Sequence, residues 1–320
     1  MTLTVGVDVG GTKIAAGVVD EHGRVHSRAR LESAAKDPIA LVGEIVSVIE
    51  DCRRGFDVQA VGIAAAGFID FRRGMVLFAP NIAWRDLPLR DEIEARCGLP
   101  TTVDNDANAA AWGEYVYGAG RADELGGDLV AVTVGTGIGG GIVVDGVLLR
   151  GHWGIAAEIG HIRVEPNGRL CPCGNRGCLE QYAAGPALLR EAQWRAAEDR
   201  SVAATLLALG DGTPDGIQGE HITAAAADGD PVALASFESV ARWLGQGLAD
   251  LAAVLDPAVF VIAGGVASAG APLLDPLRAS YASLLTASSH RPIAQIRLAE
   301  LGYDAGLVGA ADLARCAVKA

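Results

Sequence analysis

Two segments of the chain share one pattern, in which apolar residues at alternate positions lead into a cluster of glycines and a second apolar run follows. The first is LTVGVDVGGTKIAAGVVD, residues 3–20. The second is LVAVTVGTGIGGGIVVDGV, residues 129–147. Alternation predicts half-buried strands, and glycines between two such runs predict a tight turn. Each segment is therefore expected to form a strand, a glycine turn and a second strand.

A third glycine signal lies in VFVIAGGVASAG, residues 259–270, where a buried-type strand leads into a helical pattern. The Gly-, Pro- and Asp-rich run at 209–221 predicts a surface loop. A helix expected at 305–318 is predicted to pack back on the N-terminal domain, which would make that domain discontinuous. Apolar residues at helical spacing predict further helices at residues 38–54, 106–118, 185–199 and 230–256.

The two similar hairpins, half a chain apart, indicate an internal duplication. We therefore predict a mixed α/β protein with two related domains and a ligand in the cleft between them. The small N-terminal α/β domain is expected to comprise residues 1–115 together with 301–320, and the large α/β domain residues 116–300. The chain has 320 residues, 50% of them hydrophobic, which is enough to bury a substantial core.

Composition excludes several classes of partner. The net charge is −13, and no dense Lys/Arg cluster is present, which argues against a nucleic-acid surface. No apolar run is long enough to span a bilayer, and the N-terminus lacks the features of a secretion signal. We therefore expect a cytoplasmic protein that binds small molecules or copies of itself. Three scattered cysteines, Cys52, Cys97 and Cys316, are expected to be small core residues.

The other three cysteines lie within eight residues, in HIRVEPNGRLCPCGNRGCLEQ, residues 161–181. A catalytic thiol needs one cysteine and a disulfide needs two. Cys171, Cys173 and Cys178 with His161 instead make four ligands that suit zinc. A site of this kind has no open coordination position, so we predict one structural zinc ion per chain rather than a hydrolytic one.

The two glycine hairpins also carry polar groups that suit a phosphate and its Mg²⁺. One turn alone is explained by structure, because a hairpin needs backbone angles that glycine supplies. Asp8, Thr12, Lys13 and Thr136 weaken that interpretation, since turn amides and hydroxyls bind phosphate oxygens and a carboxylate holds the metal directly or through water. A strand follows the first turn, so it is not a Walker A loop, which opens a helix.

The stretch TTVDNDANAAAWGEY, residues 101–115, ends a strand and opens a helix. Asp106 there could simply cap the helix. However, Asp104, Asn105 and Asp106 provide three polar groups where one cap suffices. An aspartate at this place can accept a hydroxyl proton while Asn105 orients the alcohol, as phosphoryl transfer to an alcohol requires.

Further carboxylates surround the cysteine cluster. Glu158 and His161 stand three apart in AAEIGHI, and Glu180 follows the last cysteine of the cluster. We predict that zinc holds these three side chains in register. A neutral imidazole binds zinc through one ring nitrogen and offers the other N–H to a ligand, so the metal would fix both orientation and tautomer.

With these motifs in place, the chain resembles the ROK sugar kinases (repressor, open reading frame, kinase), and within them the ATP-dependent glucokinases of actinobacteria. The resemblance runs along the whole chain. The combination of CxCGxxGCxE with an upstream ExGH is its most specific part, whereas GxGGG alone is weak. It is carried by GVDVGGTKIAAGVVD, FAPNIAWRD, NDANAAAWGEY, VGTGIGGGI, AAEIGHI, CPCGNRGCLEQYA and LLALGDGTPDGI.

The resemblance implies an actin- and hexokinase-like (ribonuclease H-like) fold, with duplicated domains closing over a central cleft. It implies transfer of the ATP γ-phosphoryl group to the 6-hydroxyl of glucose, with Asp106 as general base and Mg-ATP as cosubstrate. The implied sugar ligands are Gly67, Asn105, Asp106, Glu158, His161 and Glu180. The implied nucleotide contacts are Asp8, Gly10, Gly11, Thr12, Lys13, Thr136, Gly137, Gly264 and Gly265. The implied assembly is a homodimer or homotetramer.

Two alternatives stay open within the kinases: another hexose or N-acetylhexosamine, such as mannose or N-acetylmannosamine, could be the acceptor, and polyphosphate could be the donor. Position 104 is a departure, because relatives often carry Glu before the asparagine and this chain has Asp104. A non-catalytic sugar-responsive regulator is disfavoured. The hairpin begins too close to residue 1 for a helix-turn-helix domain to precede it, and the acidic balance disfavours DNA.

Overall fold

The first glycine segment folds as predicted, into a hairpin. In the computed structural model, which describes residues 2–121 and 127–319, strand β1 (Leu3–Val9) pairs antiparallel with β2 (Lys13–Val19). In the second segment, β9 (Leu129–Val134) neighbours β10 (Ile138–Val144) in a different sheet. Both predicted strand–turn–strand units are therefore confirmed.

The two large sheets repeat one topology. The first has the order β3-β2-β1-β4-β8 and the second the order β11-β10-β9-β12-β13. In each, the first strand lies at the centre, the hairpin continues to one side, and two later strands follow on the other side. This repeat is the internal duplication that the sequence predicted. A small three-stranded sheet has the order β5-β6-β7. The remaining strands are β3 (Val25–Glu32), β4 (Val58–Ala65), β5 (Phe68–Ile69), β6 (Val76–Phe78), β7 (Arg85–Leu87), β8 (Thr101–Asn105), β11 (Val147–Leu148), β12 (Val259–Ala263) and β13 (Gln295–Leu298).

Several helices begin at side-chain caps that their sequences supply. Asp37 caps the first helix by accepting hydrogen bonds from the N–H groups of Ile39 and Ala40, and Asp230 caps the longest helix in the same way. A proline follows each cap, at the first helical position, where its missing N–H costs nothing. The helices are α1 (Pro38–Arg53), α2 (Leu89–Cys97), α3 (Asp106–Tyr117), α4 (Glu180–Ala183), α5 (Gly185–Glu198), α6 (Ala204–Leu209), α7 (Gly219–Ala227), α8 (Pro231–Leu255), α9 (Ala271–Leu284) and α10 (Ala305–Lys319).

The predicted loop at 209–221 is only partly a loop. Leu209 ends α6, a short 3₁₀ turn spans Pro214–Gly216, and α7 begins at Gly219. The helix starts there because Gln218 and His221 form a reciprocal cap, in which the Gln218 N–H donates to His221 Nδ1. The sequence predicted a loop here because glycine and aspartate are frequent in this run.

Contacts divide the chain into two compact units. Unit 1 comprises residues 1–131, 141–157 and 299–320, and unit 2 comprises 132–140 and 158–298. The C-terminal helix thus belongs to the same unit as the N-terminal strands, and this unit is discontinuous along the chain. The predicted domain limits at 115/116 and 300/301 stay predictions.

Unit 1 is held together by close approach of backbones. A Cβ on Gly62 in β4 would overlap the carbonyl oxygen of Ala310, and one on Gly309 would overlap the carbonyl oxygen of Ala109 in α3. Helix α10 therefore packs directly on the first sheet and on α3. The predicted core position of Cys316 is wrong, because that residue lies in the exposed last turn of α10, whereas Cys52 and Cys97 are buried.

Among residues 2–121 and 127–319, no helix combines the length and the apolar character needed to cross a bilayer.

Candidate functional site

The first glycine turn connects β1 to β2 in unit 1. It is closed by a hydrogen bond of 3.0 Å from the Gly10 N–H to the Lys13 carbonyl oxygen. A Cβ on Gly11 would lie 3.3 Å from both the Cβ and the carbonyl oxygen of Asn81, so that asparagine borders the turn. Thr12 and Lys13 are exposed, and Gly11 is half-buried. The turn therefore presents groups of the kinds that bind phosphate oxygens, a hydroxyl from Thr12 and an ammonium group from Lys13, on the surface of unit 1.

Asp8 lies in β1, two residues before this turn. Burial, and secondarily the negative charge of Asp106, raises the pKa of the Asp8 carboxyl to about 7. A Cβ on Gly306 would lie 3.2 Å from Asp8 Oδ2, so the first turn of α10 is also close. A carboxyl group whose pKa is raised by a second carboxylate marks a place suited to a cation.

The junction between β8 and α3 carries the residues predicted for catalysis. Asn105 is the helix cap: its Oδ1 accepts hydrogen bonds from the N–H groups of Ala107 at 2.9 Å and Asn108 at 3.1 Å. Its Nδ2 donates to the carbonyl oxygen of Gly67 at 3.1 Å. Asn105 is thus held at both ends of its amide, and Gly67 is part of the support for this junction.

Asp106 is the first residue of α3 and does not have to serve as its cap. Its Oδ1 accepts from the Ala107 N–H at 2.9 Å. Burial raises the pKa of the Asp106 carboxyl above the usual aspartate range, against the lowering effect of that hydrogen bond. Because a carboxylate with a raised pKa binds a proton more readily, the position suits a general base.

Asp104 also stabilises the junction between β8 and α3. Its partner is Arg150, which the sequence did not predict. The Nε and Nη2 atoms of Arg150 both donate to Asp104 Oδ2, at 2.8 and 2.7 Å. The other oxygen, Oδ1, accepts from the Asn105 N–H at 3.0 Å and from Asn108 Nδ2 at 3.3 Å. The shorter acid at position 104 is therefore bound on both oxygens, and it has a structural role beside Asp106.

The second glycine turn, in unit 2, lies next to a carboxylate. The Gly135 N–H donates to the Gly137 carbonyl oxygen at 2.9 Å, and Thr136 between them is exposed. Glu180 Oε2 accepts a hydrogen bond of 3.0 Å from the N–H of Ile138, the first residue of β10. The helix that carries Glu180 is therefore tied to the turn.

Gly264 and Gly265 follow β12 in unit 2. Gly264 has φ of +93°, and a Cβ there would collide with the backbone of Val134 in β9. Gly265 has open space at its Cβ position. The first glycine is thus needed for backbone packing, while the second leaves room for a ligand.

The four predicted metal ligands come together in unit 2. One ligand atom from each of His161, Cys171, Cys173 and Cys178 lies within 4.8 Å of the other three. The distance from Cys171 Sγ to His161 Nδ1 is 3.7 Å, and from Cys173 Sγ to Cys178 Sγ it is 3.6 Å. A tetrahedral zinc ion has ligand-to-ligand distances of about 3.6 to 3.8 Å, given Zn–S of about 2.3 Å and Zn–N of about 2.0 Å. The donor set and its spacing therefore fit zinc.

The other ring nitrogen of His161 approaches a carboxylate. With Nδ1 facing the sulfurs, His161 Nε2 lies 4.0 Å from Glu158 Oε2. Both side chains are partly exposed, at 34% and 41%. The cluster thus positions one carboxylate and one ring nitrogen at an accessible place in unit 2.

Each unit therefore assembles a distinct set of the predicted residues. Unit 1 holds Asp8, Gly10, Gly11, Thr12, Lys13, Gly67, Asn105 and Asp106, whereas unit 2 holds Thr136, Gly137, Glu158, His161, Cys171, Cys173, Cys178, Glu180, Gly264 and Gly265. Sequence reasoning missed Arg150 and Asn81 as members of these surroundings. Asn81 lies in FAPNIAWRD, a motif that was noted without a role for its asparagine.

Comparisons with known proteins agree on one family. The sequence model of the ROK family matches residues 4–317. A glucokinase of Streptomyces coelicolor is 53% identical over 315 residues, 98% of each chain, and a glucokinase of Thermotoga maritima is 37% identical, with 97% of this chain and 96% of that protein covered. A crystal structure of a ROK family glucokinase from Streptomyces griseus, in complex with glucose and AMPPNP, superposes with a TM-score of 0.87 at 54% identity and covers 98% of this chain and 99% of its own.

Proposed function

This chain belongs to the ROK family, and from that premise we propose that it is a glucokinase, which transfers the γ-phosphoryl group of ATP to the 6-hydroxyl of glucose with Asp106 as the general base. The observation that supports Asp106 as the general base is its position and the raised pKa of its carboxyl group. Asp106 stands beside a fixed Asn105, at a half-buried position where desolvation raises the pKa of its carboxyl.

The chemistry follows from that position. The Asp106 carboxylate accepts the proton of the 6-hydroxyl as the sugar oxygen attacks the γ-phosphorus, and the bond from that phosphorus to the β-phosphate oxygen breaks. Asn105 orients the alcohol, because hydrogen bonds at both ends of its amide hold the side chain in one orientation. A positioned base of this kind contributes roughly 10² to 10⁴ in rate.

The glycine turns are proposed to bind the nucleotide. Gly10, Gly11, Thr12 and Lys13 in unit 1 and Thr136 and Gly137 in unit 2 offer amides, hydroxyls and one ammonium group to the phosphates, and Gly264-Gly265 faces the adenosine. Mg²⁺ of Mg-ATP neutralises charge on the phosphates during transfer. Asp8 is its proposed ligand, because a cation stabilises a half-buried carboxylate that has the negative charge of Asp106 nearby.

Sugar binding is proposed for Gly67, Asn105, Glu158, His161 and Glu180, with one structural zinc ion on His161, Cys171, Cys173 and Cys178. Zinc would fix the His161 ring through Nδ1 and leave Nε2 for a sugar hydroxyl. Burial raises the pKa of the Cys178 thiol to about 12, so a cation is required to keep this sulfur as a thiolate.

A sugar panel tests the activity, with glucose, mannose, N-acetylmannosamine and fructose as acceptors and ATP or polyphosphate as donor. Formation of the sugar phosphate is measured with both donors, and coupled ADP release confirms turnover with ATP. We expect glucose with ATP to give the highest kcat/KM. Faster turnover of N-acetylmannosamine would refute the acceptor, faster turnover with polyphosphate would refute the donor, and no turnover on the whole panel would refute the kinase.

We also propose a cytoplasmic homodimer or homotetramer that supplies glycolysis with its phosphorylated sugar. Sedimentation at several protein concentrations distinguishes a dimer from a tetramer, and a monomer at all concentrations would contradict both.

A further inference from the structure

A basic, aromatic-lined hollow in unit 2 lies among helices α4, α5, α8 and α9. It consists of two adjoining depressions of about 730 and 320 Å³, which share Arg169, Tyr182, Glu191, Ser239 and Trp243 in their walls. Arg195 and Arg242 also line the larger depression, and Arg190 lines the smaller one. Volumes of this size match those of small-molecule sites. None of the residues proposed for glucose, nucleotide or zinc lines either depression.

Positive charge is concentrated here, in a protein whose net charge is −13. The walls carry four arginines, and against them stand two carboxylates, Glu191 and Glu238. Glu191 is already bound to Arg195 at 2.8 Å. Within the described part of the chain, no carboxylate lies within ion-pair distance of Arg169, Arg190 or Arg242.

Arg190 is the least satisfied of these groups. Its Nη2 donates to the Gln181 carbonyl oxygen at 2.6 Å, but its Nε is buried and has no hydrogen-bond partner among the described residues. Burial, and secondarily the nearby positive charge of Arg169, lowers the pKa of the Arg190 guanidinium. Buried donors of this kind are normally satisfied, and an unmade hydrogen bond to a charged group is costly.

Aromatic rings complete the hollow. Tyr182 and Trp243 pack with ring centroids 4.6 Å apart, and the guanidinium groups of Arg169 and Arg242 lie over these rings, at 5.8 and 5.7 Å from the centroids. Rings placed beside cations recognise a ligand with one flat or hydrophobic face and one anionic end. Ser239 adds a hydroxyl to the same wall.

We propose that this hollow is a regulatory site for an organic phosphate, in which Arg169, Arg190 and Arg242 bind the phosphate group and Tyr182 and Trp243 bind an attached ring. Planar guanidinium groups bind phosphate oxygens in pairs, which accounts for the use of arginine throughout. A sugar phosphate, such as the proposed product, and a nucleoside monophosphate share this chemistry.

The site is coupled to the glucose site through α4. Tyr182 and Gln181, which line the hollow, directly follow Glu180, whose carboxylate accepts the Ile138 N–H beside the second glycine turn. A ligand that draws Arg190 away from the Gln181 carbonyl oxygen shifts this short helix and with it Glu180. The coupling rests on the proposed function of Glu180, whereas the binding does not.

Calorimetry tests the binding, with saturating glucose and a non-hydrolysable ATP analogue present so that the active site is filled. The probes are glucose 6-phosphate, AMP and inorganic phosphate. We expect one remaining site per chain, with either organic phosphate binding at least tenfold more tightly than inorganic phosphate. The tighter of the two organic probes identifies the source of the ligand. Inorganic phosphate binding equally well would refute recognition of the ring, and no remaining binding would refute the site.

Arg242→Ala and Arg190→Gln are expected to weaken that binding about tenfold or more, since each removes a charged hydrogen bond. Arg242 is exposed, so its loss should leave folding and basal kcat intact. Arg200→Ala, an exposed arginine of unit 2 outside the hollow, is the matched control. Binding unchanged in both variants would overturn the assignment. A change of oligomeric state in Arg242→Ala, together with no organic phosphate binding, would show that a second copy covers the hollow.

The coupling is measured separately, as the change in glucose KM caused by the bound probe. We expect a severalfold change in the wild type and none in Arg242→Ala. Binding without any change in KM would refute the coupling and leave the site standing, and neither binding result depends on turnover.

Discussion

Units 1 and 2 each place a glycine turn near carboxylates, but they fix those carboxylates by different means. In unit 1, backbone packs on backbone: α10 lies against Gly62, and its Gly309 lies against α3, the helix that begins at Asp106. In unit 2, four side chains within 4.8 Å of one another form the fixed point beside Glu158. In unit 1 the carboxylates are held because glycines let backbones pack closely, and in unit 2 they are held by a cluster of side chains.

The two environments also differ in electrostatics. The unit 1 carboxyls, Asp8 and Asp106, are half-buried groups whose pKa values are raised by desolvation. In unit 2, Glu180 accepts a backbone hydrogen bond and Glu158 is partly exposed beside His161. The first environment suits proton transfer and the second suits hydrogen bonding to a neutral polyol. The difference indicates that proton transfer depends on unit 1 and sugar binding on unit 2. Each of the following experiments changes one unit and tests whether only one of these properties changes.

Asp106→Asn should have the largest effect. We expect kcat to fall by roughly 10² to 10⁴, because a positioned base contributes about that much, while nucleotide affinity changes little. Steady-state kinetics and nucleotide binding measure the two. A kcat near that of the wild type would reduce Asp106 to a support for α3 and would remove the catalytic part of the contrast.

Gly62→Ala tests the backbone packing of unit 1. We expect a loss of more than about 3 kcal/mol in the free energy of unfolding, since the new methyl group would overlap a carbonyl oxygen of α10 that cannot retreat. Gly43→Ala is the matched control, because Gly43 is an exposed helix position with open space around it. That change should stabilise by about 0.5 to 1 kcal/mol. Equal denaturation midpoints for both variants would contradict the packing argument.

Removal of zinc tests unit 2. Cys173→Ser, or treatment with a chelator, should raise the glucose KM by at least about 10-fold while nucleotide binding persists, because mutating even the residues around metal ligands costs about 10- to 100-fold in metal affinity or activity. Cys316→Ser, which changes an exposed cysteine outside the cluster, is the control. Elemental analysis should find about one zinc per chain. Lower thermal stability with a normal KM would mean that the cluster only holds a loop, and a metal-free protein with full activity would refute the ligands altogether.

The pH dependence of kcat should be the mildest effect. Because burial raises the pKa of Asp106, activity should begin to fall at a pH above the ordinary aspartate value of about 3.9, and then fall about tenfold per pH unit. The stability contribution has the opposite sign. The folded state holds this proton more tightly than the unfolded state, so protonation of Asp106 stabilises unit 1 as it stops catalysis. Acid loss of kcat that begins only near 3.9 would contradict a raised pKa.

Local patterns predicted local features well. Alternating valines and paired glycines sufficed for the β1–β2 hairpin, and cysteine spacing sufficed to bring Cys171, Cys173 and Cys178 together, because a short segment limits where its side chains can go. The repeated glycine segments even indicated the duplicated sheets.

Partners distant in sequence were beyond such patterns. Arg150 binds Asp104, although 46 positions separate them in the sequence, and no local pattern around either residue predicts the pair. Cys316 lies in an apolar stretch, yet it is exposed, because it lies in the last turn of α10, beyond the segment 305–315 in which every residue is buried. The helix start at Gly219 was missed because its cap is formed by glutamine and histidine, which are unusual cap residues.

The packing of α10 on the first sheet also sets the order in which the protein can be made. Helix α10 follows all of unit 2 in the chain, yet Glu114 of α3 depends on the N–H groups of Glu300 and Leu301, and Arg315 bonds to the carbonyl oxygens of Val19 and Asp20. Translation therefore delivers the strands of unit 1 first and the helix that covers them last. Until α10 has been synthesised, the face of the first sheet that it covers stays exposed. This face is then accessible to chaperones and to incorrect contacts with other segments.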